Sequence, residues 1–225
     1  MRPWELLDAT TVIGEAKEML LYRRGDEFSI KTGYIELMNS RLHGSEDALA
    51  ELGCKKLKNK SNPRVLVGGL GMGYTLAATL KSLGAKAEVV VAELVPAVIQ
   101  WNQKYLSALA GHPLQDKRTT IYEGDVGKLI RAETESFDVI LLDVDNGPEG
   151  LTRRENDAIY SPAGLKAGLK ALRPKGVFAV WSMGPDPRFT KQLKRAGFLV
   201  EEVRVSARAG KKSGGKHTIW FGIKP

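Results

Sequence analysis

Cysteine is almost missing from this chain. Cys54 stands alone among 225 residues, which excludes an intrachain disulfide and fits a reducing compartment, with a buried inert thiol as its expected role. Histidine is scarce as well. His43, His112 and His217 show no ligand spacing and no Cys-x-x-Cys occurs, so no metal site is expected. No apolar run nears the roughly 20 residues needed to span a bilayer; Val89–Ala92 and Val139–Leu142 read as short buried strands. Met1-Arg2-Pro3-Trp4-Glu5 lacks the apolar core of a secretory signal, so a cytoplasmic location with no membrane partner is expected. A serine triad lacks its G-x-S-x-G elbow. Neither low-complexity sequence nor an internal repeat is present.

What is there suits a globular protein: 43% of residues are hydrophobic and 27% charged, enough apolar residues for a good core in one domain with a small appendage. The formal charge of +8 admits an anionic partner. Its excess sits in clusters, Lys55-Lys56 to Lys60 and Arg204 to Lys216, with no nucleic-acid module or aromatic-interleaved stripe. A solvated basic surface is therefore expected, not a nucleic-acid site.

The chain is organised around Val65-Leu66-Val67-Gly68-Gly69-Leu70-Gly71-Met72-Gly73-Tyr74-Thr75-Leu76. β-friendly residues run into Gly69, Gly71 and Gly73, and a helical pattern follows. Such a turn lets backbone approach a ligand, and the N–H groups opening the helix hold polar ligand atoms. The spacing is not the dinucleotide one, because the third glycine follows the second by two residues. A tight strand-to-helix turn without a ligand is the alternative.

Before this loop, Met19–Arg23, Glu27–Thr32 and Tyr34–Asn39 read as strands, with turns at Gly25-Asp26 and Thr32-Gly33. A helix runs from Gly44 to about Leu57, and the polar Lys58–Pro63 stretch divides an appendage, 1–60, from a main domain, 61–225. After Pro63, strands and helices alternate. Strands are expected at Val65–Val67, Glu88–Ala92, Thr120–Tyr122, Phe137–Leu142 and Val177–Trp181. The helices are Tyr74–Leu83, Pro96–Ala110, Val126–Ala132, Pro162–Leu172 and Pro187–Ala196, with Arg173-Pro174-Lys175-Gly176 stopping the fourth. Phe198–Val205 and Thr218–Ile223 then form an antiparallel hairpin. The pattern is α/β, a doubly wound sheet, whose ligands bind beyond the carboxyl ends of the strands.

Each strand end carries suitable residues. Glu93 is placed to take both ribose hydroxyls, or else to be a charge at a helix N-terminus. After Glu123 come Gly124 and Asp125, whose carboxylate suits an adenine amino group or a helix N-cap. Asp143-Val144-Asp145-Asn146-Gly147-Pro148 is the densest polar cluster. Its carboxylates and amide can hold a cationic amine or take its proton, burial raising their pKa; the alternative is a turn. Trp181 and Tyr160-Ser161-Pro162 wall a pocket or fill the core.

On these residues the chain resembles the spermidine/spermine synthase family, within the S-adenosylmethionine-dependent methyltransferase class. The similarity runs from about Gly33 to Trp181: Asn62-Pro63-Arg64, the glycine loop, Glu93 with Val98-Ile99-Gln100, Gly124-Asp125, Phe137-Asp138-Val139-Ile140, and Asp143 to Pro148. The resemblance implies a mostly parallel, seven-stranded, Rossmann-like sheet. It also implies S-adenosylmethionine or decarboxylated S-adenosylmethionine as cofactor, ribose on Glu93, adenine on Asp125, and Asp143 activating an acceptor amine. Four departures stand out. Met72 replaces the family's loop aspartate, which holds the amino group of decarboxylated S-adenosylmethionine. Asn146 replaces the second acid of Asp-Ser-Ser-Asp, although Asp145 adds a charge beside it. Ser45-Glu46-Asp47 replaces Tyr-His-Glu or Tyr-Gln-Glu, and Glu36 stands where a glutamine is common. Losing the loop carboxylate removes a bond worth about 1.5–3 kcal/mol.

The reading is therefore an S-adenosylmethionine-type group transferase, with methyl transfer to a small amine-bearing acceptor favoured on the strength of Met72 and the broken acidic pair. Aminopropyl transfer to putrescine is the alternative, and a non-catalytic nucleoside binder or scaffold the third. Asp143, Asp145 and Asn146 are the catalytic candidates. Gly69, Gly71, Gly73, Glu93, Gly124 and Asp125 are the nucleoside-binding ones. The N-terminal strands offer edges that a homodimer can pair.

Overall fold

A computed structural model describes residues 2–11, 18–57, 60–144, 157–207 and 215–225. Two sheets make up the frame. The first four strands, β1 (Glu5–Thr11), β2 (Glu18–Arg24), β3 (Glu27–Thr32) and β4 (Ile35–Asn39), form an antiparallel meander in chain order. Gly25 and Gly33 turn it at φ 63 and 57. The remaining seven are β5 (Arg64–Gly68), β6 (Glu88–Glu93), β7 (Thr119–Glu123), β8 (Phe137–Leu142), β9 (Leu172–Ser182), β10 (Leu199–Ser206) and β11 (Lys216–Ile223), ordered β10-β11-β9-β8-β5-β6-β7. β5 to β9 are parallel, and β11 runs antiparallel to both β9 and β10.

Alternation along the buried strands explains why both faces need cover. Val65, Val67, Val139 and Leu141 face a cluster completed by α1 (Gly44–Lys55), α2 (Tyr74–Ser82), α3 (Pro96–Trp101) and residues of the small sheet such as Leu21 and Ile30. Leu66, Ile140, Leu142 and Phe178 face the other way, toward α4 (Val126–Ala132), the short α5 (Asp157–Tyr160), α6 (Pro162–Ala171) and α7 (Pro187–Ala196). One apolar cluster thus joins the two sheets, and no helix among the described residues is long and apolar enough to cross a membrane.

Three local readings change. The helix expected over Pro96–Ala110 is α-helical only to Trp101; a π turn (Asn102–Leu106) and a 3-10 turn (Ser107–Ala110) follow. Asn102 is buried there, its Nδ2 donating to Gly71 O at 2.7 Å and Val98 O at 2.9 Å, so the widened turn braces the glycine loop. Arg173-Pro174-Lys175-Gly176 does not separate helix from strand. It lies inside β9 as a bulge, where pairing jumps from Phe137↔Leu172 to Val139↔Val177 and Lys175 takes φ 64. Finally, β1 was not expected. Its side chains are largely exposed and lack the apolar alternation that marks a strand.

Candidate active site

The carboxyl ends of β5 to β9 and one face of the small sheet enclose a cavity of about 200 Å³. Gly69, Gly71, Glu93, Gly124, Asp125 and Asp143 all line it. Gly73 does not; it caps α2 at φ 86 and faces Asn102 and Pro113 behind the loop. Asp145 and Asn146 lie outside the described residues.

The glycine loop is built by close approach. Gly69 sits at φ +87, and a Cβ there would come within 2.4 Å of the Asp143 carbonyl oxygen, so only glycine lets β5 and β8 end side by side. No side chain caps α2, which leaves the N–H groups at its start without a side-chain acceptor. Glu93 ties this loop to the next one. Its Oε2 accepts from Leu70 N at 3.0 Å and its Oε1 from Val95 N at 2.9 Å. Burial raises the Glu93 pKa, and the backbone N–H groups pull it back. Glu93 thus braces the entrance to α3, as one of its two sequence readings expects, and it lines the cavity as well.

Asp125 is an N-cap, its Oδ1 accepting from Lys128 N at 2.8 Å, and it lines the cavity as well. Asp143 follows directly on β8. Thr75, on the first turn of α2, donates to its Oδ2 at 2.6 Å. Burial raises Asp143 to about 6, against the lowering effect of that bond. Across the cavity stands Glu46, pushed up to about 8 first by burial and then by the charge of Asp143. Trp181 lines the same space, whereas Tyr160 is packed edge-on to Phe189 in the opposite cluster.

Sequence reasoning missed two of these groups. Thr75 belongs to the helix after the loop, and nothing in its spacing marks it as the partner of Asp143. Glu46 carried a signal, since it sits where the resembled family has histidine or glutamine, but the change read as a loss of the adjacent tyrosine.

An open, mostly parallel seven-stranded sheet with an antiparallel last pair and a glycine turn after β5 defines the Rossmann-like class I methyltransferase fold. Within that class the spermine/spermidine synthase domain model matches residues 43–193, and the chain belongs to this family. A polyamine aminopropyltransferase of Prochlorococcus marinus (strain MIT 9215) is 28% identical over 142 residues, which cover 62% of this chain and 47% of that protein. The chain thus spans under half of this curated relative's length. Among solved structures, spermidine synthase from Thermotoga maritima superposes with a TM-score of 0.75 at 18% identity, covering 98% of this chain and 73% of that one. A spermidine synthase in complex with the transition-state analogue AdoDATO gives 0.75 and 18%, covering 98% and 72%. A probable spermidine synthase from Corynebacterium glutamicum ATCC 13032 gives 0.69 and 14%, covering 98% and 80%.

Proposed function

We infer that the protein is an aminopropyltransferase-type enzyme, taking decarboxylated S-adenosylmethionine as donor and a small amine as acceptor. Family membership and the curated relative place this reading ahead of methyl transfer, which the sequence alone had favoured. The observation that carries it is Asp143, a desolvated carboxylate raised to about 6 at the mouth of the sheet, in one cavity with the glycine loop and Glu93. A carboxylate at that value is mostly ionised at pH 7 yet more basic than an ordinary aspartate, which suits removal of an ammonium proton.

The walls fit a nucleoside. Glu93 lines the cavity at the strand end where ribose hydroxyls would lie, Asp125 has its Oδ2 free of the cap for an adenine amino group, and the start of α2 has no side-chain cap. The donor supplies a carbon activated by sulfonium. The protein holds the acceptor in line, and Asp143, oriented by Thr75, accepts the proton as nitrogen bonds to that carbon. The carbon–sulfur bond breaks with its electron pair on sulfur, leaving a neutral thioether.

Met72 favours a second reading. It is only 3% exposed and lines the cavity where the family has an acid, so the loop lacks the carboxylate that holds the donor's amino group. Methyl transfer from S-adenosylmethionine does not need that contact. Separate incubations with each donor and putrescine decide between the two. Methylthioadenosine release supports aminopropyl transfer, S-adenosylhomocysteine release supports methyl transfer, and binding of neither donor at millimolar concentration removes both.

A further inference from the structure

Relative to the family pattern this chain has exchanged one acid for another. The glycine loop has lost a carboxylate at Met72, and the start of α1 has gained one at Glu46, where the pattern has a neutral histidine or glutamine. Both residues line the same cavity. Glu46 is not a free surface charge that strayed inward. Ser45, fully buried, donates to its Oε2 at 2.6 Å, and Ser45 Oγ in turn lies 2.8 Å from His217 Nδ1 on β11. With the serine proton directed to Glu46, the imidazole is the donor of the second bond. Gly44 N also donates to Ala207 O at 3.0 Å, so the C-terminal hairpin holds the first turn of α1 at two points.

Two desolvated carboxylates that feel each other leave a negative site needing a proton or a cation. Among the described residues, no lysine or arginine lines the cavity beside Glu46. Asp47, its neighbour on α1, is bound to His43 at 2.8 Å; Tyr74 on α2 and Glu93 on β6 are neutral or acidic; burial lowers the His217 pKa and keeps that ring neutral. A divalent ion would need six or more oxygens, and no group of three metal-ligating side chains occurs among the described residues. Independent of the acids, two polar atoms in the cavity's lining residues lack partners: Thr32 Oγ1, in a residue 5% exposed, and Trp181 Nε1, in one 9% exposed. A ligand with hydrogen-bonding groups would satisfy them.

We propose that Glu46 is a specificity-determining residue which, with Asp143, seats a primary alkylammonium group between α1 and the end of β8, with Ser45 and His217 as its positioning residues. This rests on the transferase reading for its role in turnover, while the binding itself is read separately. The ammonium could belong to the acceptor or to the aminopropyl tail of the donor, and the two are titrated apart.

Calorimetry on the full chain uses butylamine as the free amine, with methylthioadenosine and decarboxylated S-adenosylmethionine as nucleosides without and with the amino tail. At pH 7 butylamine is expected to bind the wild type and release about one proton, seen as a dependence of the heat on buffer ionisation, because a cation between the acids favours both ionised. Glu46→Gln is expected to weaken butylamine about tenfold or more and abolish the proton release, leaving methylthioadenosine affinity within twofold. Ser45→Ala should weaken butylamine about threefold. A loss confined to decarboxylated S-adenosylmethionine would assign the seat to the donor's tail. Unchanged amine affinity and proton release in Glu46→Gln, or in Glu46→Ala should the first variant not fold, would overturn the proposal. Failure of the wild type to bind either nucleoside would instead overturn the transferase reading.

Discussion

The two halves of the cavity are made in different ways. On the side of the glycine loop, Leu70 N, Val95 N and Lys128 N each meet a carboxylate oxygen of Glu93 or Asp125, so backbone fixes both acids. On the other side, the walls are Met19, Ile30, Leu37 and Met38 from the small sheet, with the Glu46 carboxylate held by the Ser45 hydroxyl and its own backbone N–H. Backbone-fixed acids keep their place through changes in nearby side chains, whereas the second wall can be re-cut by single substitutions. The contrast teaches that the family's departures can fall on either wall, at Met72 in the glycine loop and at Ser45-Glu46-Asp47 facing it, whereas Glu93, Gly124 and Asp125 keep the family's residues.

That contrast can be broken experimentally, and the largest effect should fall at the junction of the halves. Asp143→Asn is expected to cut turnover by about 10²–10⁴-fold while sparing nucleoside affinity; equal behaviour of the two proteins would mark the chain as a binder without catalysis. Next comes Gly69→Ala, whose Cβ meets the Asp143 carbonyl at 2.4 Å from a left-handed backbone. A loss of roughly 3 kcal/mol is expected in urea unfolding, and a wild-type midpoint would mean the loop is free to move. Glu93→Gln puts an amide N–H₂ against backbone donors that the carboxylate accepts from; nucleoside affinity should fall at least about tenfold, measured by calorimetry, whereas butylamine should be indifferent.

The smallest effect concerns the second half alone. Glu46 titrates at about 8 in the folded chain against 4.5 for an ordinary glutamate, so the folded state binds more protons between these values. Stability accordingly falls as pH rises from about 5 to 8. Glu46→Gln removes that part of the slope, so the drop in Tm between pH 5 and pH 8 should be smaller in the variant than in the wild type. Parallel slopes would place Glu46 in water.

The same division explains what could be read from the sequence. The parallel strands, the glycine turn and the acids after β6, β7 and β8 were legible because a parallel sheet buried on both faces writes continuous apolar runs and leaves polar residues at the strand ends. The glycine-loop side of the cavity is therefore local in sequence: Arg64 to Glu93 is one βαβ unit. Glu46 was not legible as a site residue, since its neighbours in space, Asp143 and His217, lie 97 and 171 positions away and no spacing links them. The bulge at Arg173–Gly176 was hidden for another reason. Arg173 Nη1 donates to buried Asp138 at 2.7 Å, an attachment that keeps turn-forming residues inside the sheet.

The grip of β10 and β11 on the start of α1 has a consequence for how the protein is born. During synthesis, every strand from β5 to β9 leaves the ribosome before the hairpin does, so the crevice for a nucleoside can close early. The Gly44–Ala207 and Ser45–His217 contacts come only afterwards. A nascent chain halted short of Ala207 would carry the glycine loop and the acids at the strand ends without the contacts that hold Gly44 and Ser45.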